Sequence, residues 1–277
     1  MSRLLSIALL AAACSTTAPN HWIDVQGVRV HARVTGPEDA PVVILESGAG
    51  EDLSVWAGVV EELSEFARVV TWSRPGLGHS GMGLVGRGSP RIVEELRIVL
   101  DELGVEPPYI LVGHALGAFH VRAFAALHRE EVGALVLIDP SHEDWLARLR
   151  LTRSPLEWRD MGHEAHREVN LLLEGSRREF ASLEEDASRM RRLPILPARP
   201  IWILSCTRYT EAEREEGRGA EDMALWEQLH MELADSMHED AVVKHVICPD
   251  LGKDVLSERP DSVAAGVIWA LSELRRR

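Results

Sequence analysis

The sequence predicts an α/β fold: a mostly parallel, twisted sheet with helices on both faces and one helical insertion. Three observations carry this. Apolar runs of strand length alternate along the chain with stretches of helical period. Most of those runs are apolar throughout, as in strands buried on both faces. The alternation breaks once, over a charged helical stretch, and then resumes. Alternation of this kind implies parallel strands joined by right-handed crossovers.

Each element is justified in turn. Residues 22–25 and 28–34 flank Gln26-Gly27 and read as a hairpin. Residues 41–47, Pro-Val-Val-Ile-Leu-Glu-Ser, form a buried-strand run that enters the glycine-rich loop Gly48-Ala49-Gly50. A helix with Val55, Val59, Val60 and Leu63 on one face follows. Residues 67–72 are a strand, 74–78 a loop and 92–103 a helix. Residues 109–112 are a strand running into Gly113-His114-Ala115-Leu116-Gly117, with a helix over 118–128. Residues 134–138 form a strand ending at Asp139-Pro140. From 141 to 193 the chain is charged and helical in period, with Trp145, Leu146 and Leu149 on one face and Val169, Leu172 and Leu173 on another. Strand 200–205, a helix around 224–237, strand 242–248 and a helix over 261–274 complete the pattern. The expected division is a segment 1–13, a tether 14–20, a core of 21–140 with 194–277, and a helical cap 141–193.

At 277 residues the chain suits one large α/β domain. Its 30 basic and 44 acidic residues give a formal charge of −14, which repels phosphate backbones and makes nucleic acid an unsuitable partner. Arg3 followed by the apolar stretch 4–13 has the form of a targeting segment. Ala11-Ala12-Ala13-Cys14, followed by Ser-Thr-Thr, resembles a bacterial lipoprotein signal, which implies export, lipid on Cys14 and attachment to the cell envelope. Cys206 and Cys248 close neighbouring strands, and two buried free thiols are the expected state, since adjacent parallel strands rarely offer disulfide geometry.

The stretch Tyr109-Ile-Leu-Val-Gly-His-Ala-Leu-Gly117 carries the most chemistry. A Gly-x-Ser-x-Gly elbow lifts its central side chain above the sheet, at a helix N-terminus that favours anionic intermediates. Here both glycines stand and the lifted residue is Ala115. Glu46-Ser47-Gly48-Ala49-Gly50 resembles an oxyanion-hole loop. The run from Ser73 to Ser80 resembles the Asp-Arg-x-Gly-x-Gly-x-Ser loop, with Ser73 where aspartate is usual, and 136–144 resembles a bacterial variant of the following strand and turn. In this order and spacing the chain resembles the α/β-hydrolase superfamily from about residue 21 to 275.

That resemblance implies an α/β-hydrolase fold with a degenerate triad. Ala115 holds the nucleophile position, and a methyl group cannot attack a carbonyl. Gly252-Lys253 stands where the superfamily carries Gly-His, so the base position is Lys253, protonated at neutral pH near its ordinary pKa. Some members place the acid after the strand ending here at Asp139 and others after the next strand, where the first carboxylate is Glu211; Asp139 is the candidate. Backbone N–H groups of Ala49 and Leu116 remain to bind a carbonyl or carboxylate oxygen, Lys253 adds attraction for an anion, and Trp145 is a candidate pocket wall. Ser141 and Cys206 are weak substitute nucleophiles, without a strained elbow or base beside them. His163 and His166, three apart, lack a third metal ligand, and the His114 side chain is expected to point away from the pocket. The expected function is a non-hydrolytic protein binding a small, partly apolar or anionic ligand under its cap, with no cofactor or metal. An enzyme of unusual mechanism and a structural protein with a filled pocket are the alternatives.

Overall fold

A computed structural model describes residues 19–83, 86–208, 219–252 and 254–276. Its single sheet has eight strands: β1 (Asn20–Val25), β2 (Val28–Thr35), β3 (Val42–Glu46), β4 (Arg68–Ser73), β5 (Tyr109–His114), β6 (Val132–Ile138), β7 (Ile201–Cys206) and β8 (Val243–Cys248). Their order is β1-β2-β4-β3-β5-β6-β7-β8. β2 is antiparallel to β1 and β4, and all pairs from β4 to β8 are parallel. The hairpin turn at Gln26-Gly27 has both residues at positive φ, 53° and 83°, as a two-residue turn between twisted strands requires.

A 3-10 turn, Leu53–Trp56, leads into α1 (Ala57–Leu63); α2 (Ser89–Glu102) and α3 (Gly117–Leu127) follow β4 and β5. α2 begins three residues before the apolar period does, because Pro90 fits its first turn and the Asp186 carboxylate accepts from the Ser89 amide. Successive residues of the inner strands face opposite layers. Leu111, Leu135 and Ile203 pack with α2 and α3; Ile110, Val112, Val136 and Leu204 pack with α1 and the C-terminal helices. Two such layers explain why the strands are apolar without alternation.

Between β6 and β7 lie α4 (Trp145–Leu151), α5 (Pro155–Leu171) and α6 (Glu174–Met190). Pro155, the lone proline of this stretch, opens α5 behind a Ser154–Glu157 capping box. Two expected apolar faces need correction. Leu149 is buried, but Leu146 is exposed. α5 buries none of its residues, and Leu172 and Leu173 lie in the joint before α6, both exposed. The face that docks belongs to α6 and is largely polar: Ser176, Glu179, Ser182 and Asp186 are all buried, and Met190, with Leu183 and Ala187, reaches the apolar core near its C-terminal end.

Past β7 come α7 (Ala220–Asp235), β8, then α8 (Val255–Glu258) and α9 (Pro260–Leu274). Cys206 and Cys248 are register partners on β7 and β8 and both are free, as expected; Cys206 is buried, but Cys248, on the last strand of the sheet, is only half-buried. On the α7 side, Ser205 Oγ lies 2.7 Å from both His230 Nδ1 and His245 Nε2. His230 Nε2 donates to the Pro140 carbonyl at 2.8 Å, so its Nδ1 must accept the Ser205 proton and Ser205 must accept from His245. A protonated His230 would break this order. Burial pulls its pKa down to about 3 against 6.5 for the free group, and the nearby His245 and His142 add to the depression while the Pro140 bond opposes it.

Because the folded pKa lies below the unfolded one, His230 contributes stability that is complete above pH 6.5 and is lost as pH falls from there towards 3. Urea unfolding should therefore show a pH slope over pH 6 to 4 steeper by about 1.4 kcal/mol per unit, one proton's worth, than in His230→Gln. Parallel slopes would refute a buried neutral imidazole.

Candidate functional site

β5 ends at His114, and the chain turns into α3 through Ala115, whose φ is +46°. A non-glycine residue there costs about 1–3 kcal/mol. The surroundings impose it. A side-chain carbon on Gly113 would lie 2.7 Å from the Gly117 carbonyl oxygen, and one on Gly117 would lie 2.3 Å from that of Glu46. Both glycines are needed for α3 to abut β3 and β5. Ala115 is fixed on both sides: its amide donates to Ile138 at 3.0 Å, and its carbonyl accepts from Ser141 and Ala118. It is half-buried and carries no polar atom on its side chain.

The loop after β3 runs beside it. A side-chain carbon on Gly48 would lie 3.4 Å from the Ala115 methyl and 2.7 Å from Glu51 Oε2. Glu51 Oε2 accepts from the Gly48 amide at 2.7 Å and lies 3.1 Å from His114 Nδ1. Burial alone would raise the Glu51 pKa. The hydrogen bond and charge of His114, then the Gly48 amide and Arg74, outweigh it and hold the carboxyl below its usual range. His114 therefore turns to the loop beside Ala115, not away from the site as expected from the motif, with Trp56 edge-on to its ring.

Beneath the loop, Arg74 is 1% exposed and Glu46 and Glu179 are 0% and 1%. Arg74 Nε and Nη2 donate to Glu179 at 2.6 and 2.8 Å. Nη1 donates to Glu46 (2.8 Å) and to the Ser47 carbonyl; Nη2 also reaches the Gly48 carbonyl. Glu179, on α6, accepts from the Gly50 amide at 2.9 Å as well. Glu46 further takes Trp72 Nε1 at 2.6 Å and faces His120 Nδ1 at 2.9 Å. Burial opposes ionisation of both carboxyls, but Arg74 and these hydrogen bonds overcome it, so both stay ionised and the guanidinium is held still more firmly protonated. Ser73, at the position where aspartate is usual, accepts from the Leu53 amide at 3.2 Å.

Asp139 follows β6 at φ +42°. Its Oδ1 accepts from the Cys206 amide at 3.2 Å and from Trp226 Nε1 at 2.9 Å. Trp226 packs edge-on to Trp145 with centroids 4.9 Å apart and against His230 at 4.7 Å. Ala115, Asp139 and Trp145 are thus gathered at the C-terminal ends of β5 and β6. Lys253, Glu211 and Cys14 lie outside the described residues. Cys206 is a poor nucleophile, since burial and then Asp139 raise its thiol pKa. Ser141 offers Ala115 its amide. Ser205 has the contacts of an activated serine, yet it is fully buried and its His230 partner is a weak base. His163 and His166 are exposed on α5, and no metal-binding group of three or more ligands occurs among the described residues.

Sequence reasoning missed Glu51, Glu179 and the Ser205–His230–His245 chain. A signal existed for part of this: Glu46 ends an apolar strand and Arg74 opens a tight loop, so both had to be buried and paired. Nothing in the sequence tied Glu179 to either.

A sheet of this order, with a strained strand-to-helix elbow and an insertion after β6, defines the α/β hydrolase architecture. Residues 41–185 match the profile of the α/β hydrolase fold family, and the chain belongs to that family. It is 28% identical over 207 residues to the uncharacterized protein YqjL of Bacillus subtilis, covering 74% of this chain and 75% of that one. It is 36% identical over 116 residues to a 2-hydroxy-6-oxononadienedioate/2-hydroxy-6-oxononatrienedioate hydrolase of Paraburkholderia phymatum, covering 40% of each. Among solved structures, the enol-lactonase from Burkholderia xenovorans LB400 superposes with TM-score 0.58 at 22% identity, over 91% of this chain and all of that one. The epoxide hydrolase CorEH superposes with TM-score 0.66 at 17% identity, over 93% and 100%. At those identities the structures share the fold alone.

Removing the buried guanidinium should be severe. Arg74→Ala strands Glu46 and Glu179 without a counter-charge and is expected to cost about 3–5 kcal/mol in denaturant unfolding. A loss under about 1 kcal/mol would mean that the cluster does not hold the loop.

Proposed function

We propose that this chain is a non-hydrolytic member of its family that binds a small, partly apolar molecule at the elbow, beneath α4–α6. The observation that carries this reading is Ala115 itself. The elbow keeps its strain, its two close-approach glycines and its helix N-terminus, but lifts a methyl group where the mechanism needs an oxygen nucleophile. The substitution of the base position by Lys253 supports the same reading, because a protonated lysine cannot accept a proton. Trp145 and Trp226 supply aromatic surface beside Asp139 of the kind that lines ligand pockets. The hydrolase relatives supply the ancestry of the site; their substrates do not carry over.

Loss of a complete serine triad lowers turnover by about a millionfold in a comparable mechanism, so purified protein should hydrolyse p-nitrophenyl acetate at no more than background. A fluorophosphonate probe should leave it unlabelled. Ala115→Ser combined with Lys253→His should raise ester hydrolysis by at least about a hundredfold, if the remaining architecture serves the chemistry. Clear turnover by the natural chain, lost in Lys253→Ala, would replace this reading with an enzyme of unusual mechanism.

We also infer export and lipid anchoring at Cys14 from the N-terminal segment. In a bacterial host, an alkyne-labelled fatty acid should be incorporated by the natural chain and not by Cys14→Ser. Equal labelling, or none in either, would refute the anchor.

A further inference from the structure

The loop after β3 is the part of an α/β hydrolase site whose amides meet developing negative charge. In this chain two of those amides are already committed to the chain's own carboxylates. Gly48 N–H donates to Glu51 Oε2 at 2.7 Å, and Gly50 N–H donates to Glu179 Oε2 at 2.9 Å. Ala49, the residue whose amide would serve an incoming oxygen, lies directly between them.

The charge around the loop points the same way. Three carboxylates, Glu46, Glu51 and Glu179, stand against one guanidinium and the His114 and His120 imidazoles, and both imidazoles are already paired with Glu51 and Glu46. Arg74 spends its donors on Glu46, on Glu179 and on the Ser47 and Gly48 carbonyls. None is left for an anion in the pocket. Glu51 is the member of this group that reaches solvent. Its side chain is 33% exposed, against 0% and 1% for Glu46 and Glu179. Its Oε2 carries both bonds, and Oε1 takes no hydrogen bond among the described residues. A side-chain carbon on Gly48 would touch both Glu51 Oε2 and the Ala115 methyl, so the carboxylate borders the volume that a ligand at the elbow would enter.

We infer that Glu51, backed by Glu179, closes the oxyanion loop to anions, so that the ligand of this site presents a neutral or cationic head that donates a hydrogen bond. Amine and amide heads fit, with Glu51 Oε1 as the acceptor; carboxylates and phosphates do not. The inference rests on the ligand-binding reading of the elbow. It opposes the anionic ligand that the sequence suggested, because carboxylates beside a site repel an anion.

Calorimetric titration with three probes that share a six-carbon chain tests this. Hexanoate is expected to bind at least about tenfold more weakly than hexanamide, and hexylammonium at least as tightly as hexanamide, since like charges placed together penalise binding. In Glu51→Gln, which keeps the chain shape and removes the charge, the hexanoate-to-hexanamide gap should shrink to about threefold or less. Should that variant fail to fold, raising the ionic strength on the natural chain should narrow the same gap. Hexanoate binding as tightly as hexanamide would overturn the inference and leave the ligand reading standing. A gap unchanged in Glu51→Gln would overturn the role of Glu51. If none of the three probes binds, the ligand reading fails and this inference goes with it.

Discussion

Arg74 is the single side chain on which the geometry around the elbow depends. A buried guanidinium must have its N–H groups satisfied, because an ion stripped of water without partners costs far more than a domain can supply. Its acceptors come from two stretches far apart in the chain: residues 46–48, through the Glu46 carboxylate and the Ser47 and Gly48 carbonyls, and Glu179 from α6. Satisfying one side chain therefore fixes the loop after β3 against the loop after β4, and docks α6 on both. The approach is close enough that a side-chain carbon on Gly175 would lie 2.0 Å from the Gly76 carbonyl oxygen. α6 consequently meets the core largely through buried polar and charged groups, with Met190 as its buried apolar contact, while α5, which has no such anchor, buries nothing.

The strained turn at Ala115 is held by close packing and backbone hydrogen bonds. Ala115 occupies left-handed backbone because Gly113 and Gly117 bring α3 against β3 and β5, and because Ile138, Ser141 and Ala118 hold its amide and carbonyl. None of those contacts needs a hydroxyl. Relaxing the turn would uncouple α3, one of the most completely buried helices, from the middle of the sheet. The elbow is thus a packing solution first, and its conformation alone says nothing about turnover. What decides the chemistry is which atoms stand around it: a methyl, an ionised Glu51 tied to His114, and Asp139 held by Cys206 and Trp226.

Strands and core helices were legible because their signal is local. A run such as 109–112 or 134–138 has to lie between two apolar layers whatever its neighbours are. The insertion after β6 was legible as helical and illegible in its docking. Leu172 and Leu173 suggested a buried face, yet they sit at a helix joint, and the burial falls instead on Glu179 and Asp186. Periodicity reports apolar faces, so a helix that docks through ion pairs is invisible to it. The His114 side chain was misjudged for a related reason: its direction is set by Glu51, a residue 63 positions away.

The sequence by itself determined the layer architecture, the elbow and the absence of a hydroxyl at Ala115, because each follows from residue type at a local spacing: apolar runs, paired glycines, and one alanine between them. Only the tertiary structure decided the electrostatic character of the site. Glu51 and Glu179 each read alone as ordinary surface charges, and Arg74 as a cation that needs a partner without saying which. Their meaning comes from being brought together, largely out of water, where a charge must find its partner within a few ångströms and the partner is far away along the chain.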